Sequence, residues 1–219
     1  MKIRIEWMYK TPKGTKAFFS SEELPVAQVV LLAEDMERTG RSEKMSFVDE
    51  FDSTWTLKEL KSYLKSLETE PHNITVYFDG GFDRGSGEAG LGCVIYYEQN
   101  NKSYRLRRGV AVTEIASNNE AEYAALHLSL QELEGMDVNN IPVRFIGDSK
   151  VVIKGMNGDW PVIEKDLSRW ADRIEQKMQK LGILPEYEGV PRKANAQADR
   201  LATQALNGIE IKGEIELID

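Results

Sequence analysis

The order of apolar segments after residue 73 is the feature that most constrains the fold of this chain. Three strand-like runs come first, ITVYFDGG, GLGCVIYYEQ and NKSYRLRRGVAV, and a turn around Gln99–Lys102 joins the last two as a hairpin. A helical segment starting at Ser117 follows, and then come the strand VRFIGDS, helices at 149–157 and 164–181, the strand ILPEYEGV and a final helix, ADRLATQAL. This order predicts an α/β fold with a mixed five-stranded sheet and helices on its faces.

The first seventy residues carry a separate pattern. Residues 1–21 predict a hairpin, a helix follows Ser20 or Ser21 and ends at Gly40, MSFVDEF is a third strand, and apolar residues at 57, 60, 64 and 67 mark one helical face. We therefore expect a small α+β domain of order ββαβα at 1–70 and a second domain at 71–219, with the polar stretch LETEPHN as a short linker.

The last twelve residues, GIEIKGEIELID, alternate apolar and charged side chains. This alternation fits an edge strand, but a disordered tail is the other interpretation.

Composition limits the classes of function. The net charge of −8 argues against tight metal-free binding of nucleic acid, which basic residues normally drive. It argues less against an enzyme whose carboxylates surround metal ions. The single cysteine, Cys93, lies in an apolar run and excludes an internal disulfide framework. No apolar run is long enough to span a membrane, and no secretory signal is recognisable, so we expect a cytoplasmic protein.

Four acidic residues occupy the ends of these elements. Asp79 ends the first strand of the second domain before Gly80-Gly81, Asp148 ends the strand VRFIGDS, and Glu122 and Asp199 lie near the starts of helices. Neighbouring parallel strands bring their carboxyl ends to one edge of a sheet, where ligand sites form. Carboxylates in such a place suit hard divalent cations, and two of these ions can promote phosphodiester hydrolysis.

Each acid also has a purely structural interpretation. An aspartate before glycine is a common turn former. An acid in the first turn of a helix stabilises the helix through its interaction with the helix dipole. Glu122 could belong to a solvated helix face that also includes Glu120. The order and context of the four acids together carry the metal-site hypothesis.

Four segments in order resemble the ribonuclease H type 1 family, in its reverse-transcriptase-like branch. They are YFDGG at 77–81, SNNEAEYAAL at 117–126, GDSKVVIKGMNGDW at 147–160 and VPRKANAQADRLA at 190–202. The resemblance covers about residues 73–207. It implies a ribonuclease H-like fold and a metal-dependent endoribonuclease that hydrolyses the RNA strand of RNA–DNA hybrids.

The resemblance also implies residue roles. The acids that bind two Mg²⁺ (or Mn²⁺) ions in the family match Asp79, Glu122, Asp148 and Asp199. Substrate contacts are implied for four further residues, Gly80, Asn118, Asn119 and Ser149. The paired asparagines match residues that lie at the minor groove, where a 2′-hydroxyl distinguishes RNA from DNA; helix capping by Asn118 is compatible with this role.

Two departures from the family pattern matter for function. Many members have a histidine before the fourth carboxylate, but PEYEGVPRKANAQA has none, and we interpret His72 and His127 as structural or incidental. Glu188 is the candidate for an auxiliary role in its place. The family's basic helix is also absent, since residues 155–166 are slightly acidic. The alternative function is therefore a catalytically weak ribonuclease H-like protein that binds nucleic acid or a partner.

The first domain has the element order of a hybrid-binding domain but not its sequence signature. Residues 1–70 hold 11 Lys and Arg against 13 Asp and Glu. Hybrid binding and protein interaction are both open for this domain. Its larger aromatic residues fit a core more often than a stacking surface: Trp7, Phe18, Phe19, Phe47 and Trp55. The cluster of Arg105, Arg107 and Arg108 fits either a phosphate contact or alternate residues of an exposed strand.

Overall fold

The computed structural model describes residues 1–40 and 42–218. The chain divides into two compact units, Met1–Thr69 and Glu70–Asp219. Among the described residues, no helix combines the length and apolarity that a membrane crossing requires.

A mixed sheet of six strands forms the centre of the second unit. In chain order the strands are β6 (His72–Asp83), β7 (Glu88–Gln99), β8 (Lys102–Val112), β9 (Pro142–Gly147), β10 (Leu184–Gly189) and β11 (Ile211–Leu217). Their order across the sheet is β10-β9-β6-β7-β8-β11. The predicted fold class is confirmed, with one strand more than the five expected, because the C-terminal segment pairs antiparallel with β8 as an edge strand. Asp219, the last residue of that segment, lies outside the described residues.

The long hairpin β7–β8 follows from its turn sequence. Asn100 and Asn101 connect the strands with φ values of 54° and 59°. Asparagine tolerates this left-handed region, and two such residues give a hairpin turn whose twist matches that of the strands. The predicted hairpin is therefore confirmed.

Helices cover both faces of this sheet. They are α3 (Asn118–Gly135), α4 (Lys150–Met156), α5 (Lys165–Leu181) and α6 (Ala196–Leu206), with a 3-10 helix at Arg192–Asn195. The main core includes Phe78, Tyr123, Phe145 and Ile174, all fully buried, and it lies between the sheet and α3, α4 and α5. Helix α6 packs on the opposite face.

Glycines set how closely the helices approach the sheet. A Cβ on Gly80 would lie 2.2 Å from the backbone carbonyl of Ala121 in α3, and a Cβ on Gly92 would lie 2.4 Å from the backbone oxygen of Ala198 in α6. The expectation that Gly80-Gly81 ends the first strand is wrong, because β6 continues through both glycines to Asp83. Glycine is required here for close backbone approach and not for a turn.

The first unit is a small α+β fold. Its strands are β1 (Lys2–Lys10), β2 (Lys16–Ser20), β3 (Leu24–Pro25), β4 (Ser42–Asp49) and β5 (Thr54–Trp55), and its helices are α1 (Val26–Thr39) and α2 (Leu57–Thr69). The major elements follow the predicted ββαβα order, with two short strands added. Helix α1 starts later than predicted because Leu24 and Pro25 pair with β1. The segment expected to be a linker is mostly part of α2 and β6.

The aromatic residues of the first unit divide into core and surface. Phe47 is 2% exposed within the core, and Trp7 and Trp55 pack partly buried against that core. Phe18 and Phe19 are 62% and 46% exposed, so for these two residues the core interpretation is wrong. The side chain of Leu67, the fourth position of the predicted apolar face of α2, lies outside the described part of the structure.

Candidate active site

Two adjacent parallel strands bring Asp79 and Asp148 together. Tyr77 of β6 pairs with Ile146 of β9, so each aspartate lies two residues beyond this pair in the same direction. Asp148 directly follows β9, as predicted, whereas Asp79 lies within β6. Asp148 contributes to raising the pKa of Asp79, after the larger effect of burial. The fold therefore brings two carboxyl groups from distant sequence positions close together.

Glu122 joins this pair because α3 lies against β6. The backbone N–H of Gly80 donates a hydrogen bond to Oε2 of Glu122 at 3.2 Å. Ser117 is the N-cap of α3, and its side chain accepts a hydrogen bond from the N–H of Glu120. The Glu120 side chain accepts in return from the N–H of Ala116, the residue before the N-cap, at 2.8 Å, an arrangement close to a capping box. Glu120 thus stabilises the helix start, while Glu122 points to the aspartates.

The charges in this cluster strongly affect each other. Burial raises the pKa of Glu122 to about 9, and the nearby charges of Asp79 and Asp148 add to the shift. Burial likewise raises the pKa of Asp79 to about 7, with contributions from Asp148 and Asp199. Both side chains are only 7% exposed. Acids held close together in a buried place disfavour simultaneous ionisation, and a bound cation would relieve this cost.

Asp199 lies at the edge of the cluster and is paired with a cation from the protein. It is in the first turn of α6, and its carboxylate accepts a hydrogen bond from Nε of Arg192 at 3.0 Å. A second hydrogen bond comes from Nη2 of the same guanidinium. Arg192 also lowers the pKa of Asp79 and of Glu122 through its charge. Arg192 therefore supplies positive charge to the acidic cluster.

Asn195 connects three parts of the site, and the sequence reasoning did not single it out. Its Nδ2 donates to Oδ1 of Asp148 at 2.7 Å and to the backbone oxygen of Phe78 at 2.9 Å. The residue is 1% exposed, and its Oδ1 is buried without a hydrogen-bond partner. The sequence signal was an asparagine four residues before Asp199, inside the last of the four matching segments. Asn195 fixes the orientation of the Asp148 carboxylate.

The structure locates the other predicted site residues around the cluster. Asn118 is exposed and Asn119 is half-buried. Ser117, not Asn118, caps the helix, and within residues 1–40 and 42–218 neither asparagine side chain forms a hydrogen bond. Ser149 is the N-cap of α4 without a side-chain cap hydrogen bond. Glu188 lies on edge strand β10, 4.0 Å from Arg144, and makes no contact with the carboxylates among the described residues.

The donor chemistry of the cluster fits a hard divalent cation. Asp79, Glu122, Asp148 and Asp199 offer only carboxylate oxygens, which Mg²⁺ and Mn²⁺ prefer. As the described side chains lie, no three Asp, Glu, His or Cys residues converge closely enough to hold one ion. In addition, Arg192 engages the carboxylate of Asp199. The donor chemistry of the four acids fits a metal, and binding one requires their side chains to move closer together and Asp199 to leave Arg192.

Comparison with known proteins places the chain in a family. Residues 77–205 match the family described as reverse transcriptase-like. The uncharacterized protein YpeP of Bacillus subtilis is 39% identical over 194 residues, which cover 89% of this chain and 85% of that protein. Ribonuclease HI of Halobacterium salinarum is 30% identical over 139 residues, covering 61% of this chain and 64% of its own length. The chain spans 35% of the bifunctional protein Rv2228c of Mycobacterium tuberculosis, at 31% identity.

Solved structures give the same assignment for the fold. The crystal structure of RNase H1 from Halobacterium salinarum covers 62% of this chain and 98% of its own, with 29% identity and a TM-score of 0.52. LC11-RNase H1, solved in complex with an RNA/DNA hybrid, covers the same shares with 28% identity and a TM-score of 0.54. Both are type 1 ribonucleases H. Over its second unit, this chain belongs to the reverse transcriptase-like family and has the ribonuclease H type 1 fold.

Proposed function

We propose that this protein is a metal-dependent endoribonuclease that hydrolyses the RNA strand of RNA–DNA hybrids. The observation that carries the proposal is the group formed by Asp79 and Glu122, which are buried, and the half-buried Asp148. Burial raises the pKa of Asp79 and Glu122, and the neighbouring negative charges add to the shift. Keeping ionisable groups in this costly arrangement is typical of functional sites. The relatives named ribonuclease H, one of them solved with a hybrid, support the substrate class.

In this proposal Asp79, Glu122, Asp148 and Asp199 hold two Mg²⁺ or Mn²⁺ ions. The bound ions would activate an attacking water and stabilise the leaving oxygen of the phosphodiester. The chain itself orients the ligands: Gly80 donates its N–H to Glu122, and the amide of Asn195 directs Asp148. Arg192, exposed next to Asp199, is placed to pair with a phosphate oxygen when Asp199 is released.

We assign substrate binding to residues beside the cluster. Asn118 and Asn119 start α3 with free amides, which donate and accept hydrogen bonds and so suit a 2′-hydroxyl. Gly80 has no side chain to obstruct the backbone of a bound strand, and Ser149 follows Asp148 with a hydroxyl that does not cap α4. Glu188 is the proposed auxiliary residue that exchanges protons or product.

The test is cleavage of a strand-labelled hybrid duplex with Mg²⁺ and with Mn²⁺. We expect cuts in the RNA strand only, and we expect Asp79→Asn and Asp148→Asn to abolish them, because each removes a charged ligand but retains the shape of the side chain. Glu186→Gln is the matched control, since Glu186 is an exposed acid on β10 and should retain full activity. Cleavage that persists in both aspartate variants would contradict the proposed site.

One observation favours the second candidate, a catalytically weak protein that binds nucleic acid or a partner. The ion pair of Arg192 with Asp199 competes with a cation for the fourth ligand. Under this alternative the wild type binds a hybrid in EDTA but does not cleave it with either metal. Arg192→Gln distinguishes a blocked site from an inert one, because cleavage would appear in this variant only if the pair were the obstacle.

For the first unit we propose an accessory role in hybrid binding, with protein interaction as the alternative. Phe18 and Phe19 are exposed on β2, where an aromatic ring can stack on a base or sugar. Replacing both with serine in the full chain should raise the Michaelis constant for hybrid severalfold and leave kcat unchanged. An unaltered Michaelis constant would favour the protein-interaction role.

A further inference from the structure

The face of the large sheet that carries α6 is covered by that helix over only part of its area. Close contacts with α6 lie in the half of this face that is next to Asp79, at Gly81, Gly90, Gly92 and Gly109. The other half of the same face carries two tyrosines and three arginines. We call this surface the tyrosine–arginine face and define it by Tyr77, Tyr96, Arg105, Arg107 and Arg144.

Strand register places these residues in rows. Arg144, Thr75, Tyr96 and Arg105 are consecutive partners across β9, β6, β7 and β8. With about 4.8 Å between neighbouring strands, the two arginines at the ends of this row are about 14 Å apart, with the tyrosine between them. Arg107 and Tyr77 lie in the next row. Arg108 points to the opposite face and pairs with Glu132, so the predicted arginine cluster is divided by strand alternation.

The two tyrosine rings are held in place. Their centroids are 5.9 Å apart at an interplanar angle of 81°, and Tyr96 Oη donates to Oε1 of Gln197 at the start of α6 at 3.1 Å. Both side chains are half-buried. Rings that are already ordered lose little conformational freedom when a ligand stacks on them.

The arginines on this face lack strong acidic partners. Within the described residues, Arg105 and Arg107 form no ion pair, and Nε of Arg105 is buried without a hydrogen-bond partner. Arg144 is 4.0 Å from Glu188, and both side chains are about half exposed, so this pair contributes little. Glu98, the acid of the next row, accepts a hydrogen bond from Asn73. Glu186 pairs in register with Arg144 and projects from the same side of the sheet, so among the described residues the positive charge without an acidic partner lies at Arg105 and Arg107.

The face adjoins the carboxylate site. Tyr77 and Asp79 project from the same side of β6 and are two residues apart, about 7 Å along the strand. We propose that the tyrosine–arginine face binds a single-stranded nucleic acid segment, with bases stacked on the tyrosines and phosphates paired with Arg105, Arg107 and Arg144. Aromatic rings beside cationic side chains are the usual combination for binding single strands without sequence preference. A strand bound there leads directly to Asp79, although binding itself does not require cleavage.

The test is fluorescence anisotropy of fluorescein-labelled dT15 and rU15 with the full chain in EDTA, as a function of salt. The variant Arg105→Gln/Arg107→Gln should bind at least tenfold more weakly, and its salt slope should fall by about 1.4, since two phosphate contacts are lost. Tyr96→Leu should weaken binding about fivefold or more with the slope unchanged, because it removes a stacking ring and no charge.

The matched control is Arg169→Gln/Arg173→Gln, which removes the same charge from α5 on the other side of the sheet. It should retain wild-type affinity and slope. Equal loss in both double variants would overturn the inference, because only net charge would then matter. Absence of binding by the wild type at low salt would also overturn it, as would equally strong competition by polyglutamate. Hybrid cleavage is measured separately, so a failure of the proposed nuclease function leaves this binding test intact.

Discussion

Glu122→Gln should make the metal-free protein more stable than the wild type, and this difference should grow as the pH rises. In the folded chain the pKa of Glu122 is raised from 4.5 to about 9. Between these values the folded state holds a proton that the unfolded chain releases, so stability falls with increasing pH. Each pH unit in this interval costs about 1.4 kcal/mol. Glutamine has the same shape, can still accept the hydrogen bond from Gly80, and does not ionise.

The magnitude follows from that slope. From pH 5 to pH 7 the wild type should lose up to about 3 kcal/mol of unfolding free energy through Glu122, and the variant should not. Urea unfolding in EDTA at the two pH values measures this difference. We expect the stability advantage of the variant to grow by about 1 to 3 kcal/mol between pH 5 and pH 7.

The control for this measurement is Glu186→Gln, which should follow the wild type at both pH values. If Glu122→Gln and the wild type show the same change in stability with pH, then Glu122 is not buried among like charges and the description of the cluster is wrong. Saturating Mg²⁺ should remove the advantage of the variant, because the cation stabilises only the wild-type carboxylate.

Further substitutions test the supports of the site. Gly80→Ala should destabilise the fold by about 2 kcal/mol or more, because the added Cβ meets the α3 backbone at 2.2 Å. The control is Gly213→Ala, since Gly213 has open space around it. Equal melting temperatures of the two variants would contradict the close approach of α3 to Gly80. Asn195→Leu should lower kcat about tenfold or more, since Asp148 loses its hydrogen bond, and unchanged kcat would exclude this positioning role. Arg192→Gln should tighten Mn²⁺ binding about two- to fivefold, which corresponds to the free energy of an exposed ion pair. Weaker Mn²⁺ binding by this variant would refute the idea that Arg192 competes with the cation for Asp199.

The sequence predicted the hairpin turn and the helix end correctly because the backbone preferences of a few neighbouring residues determine them. The hairpin turn at Asn100–Asn101 and the C-terminal glycine of α1, Gly40 with φ 63°, adopt the left-handed backbone that their residue types favour. The alternation of residues 211–217 was ambiguous from sequence alone. Only the available edge of β8 decides that this segment is a strand.

The features that the sequence did not predict are contacts between segments that are distant in the chain. Gly80-Gly81 resembled a strand end, and only the position of α3 shows that glycine permits close packing. From the sequence, the buried and hydrogen-bonded Asn195 could not be distinguished from an ordinary loop residue, because its partners Asp148 and Phe78 are far away in the chain. The pairing of Arg192 with Asp199 depends likewise on side-chain orientation, which spacing does not determine.

Binding of Mn²⁺ measured by electron paramagnetic resonance is the most direct test of the central claim, that distant acids form one cation site. Titrated with Mn²⁺, the wild type should remove free ion from the spectrum, and Asp148→Asn should bind at least tenfold more weakly. Identical titrations of the wild type and the variant, or no bound Mn²⁺ at millimolar concentration, would contradict the claim.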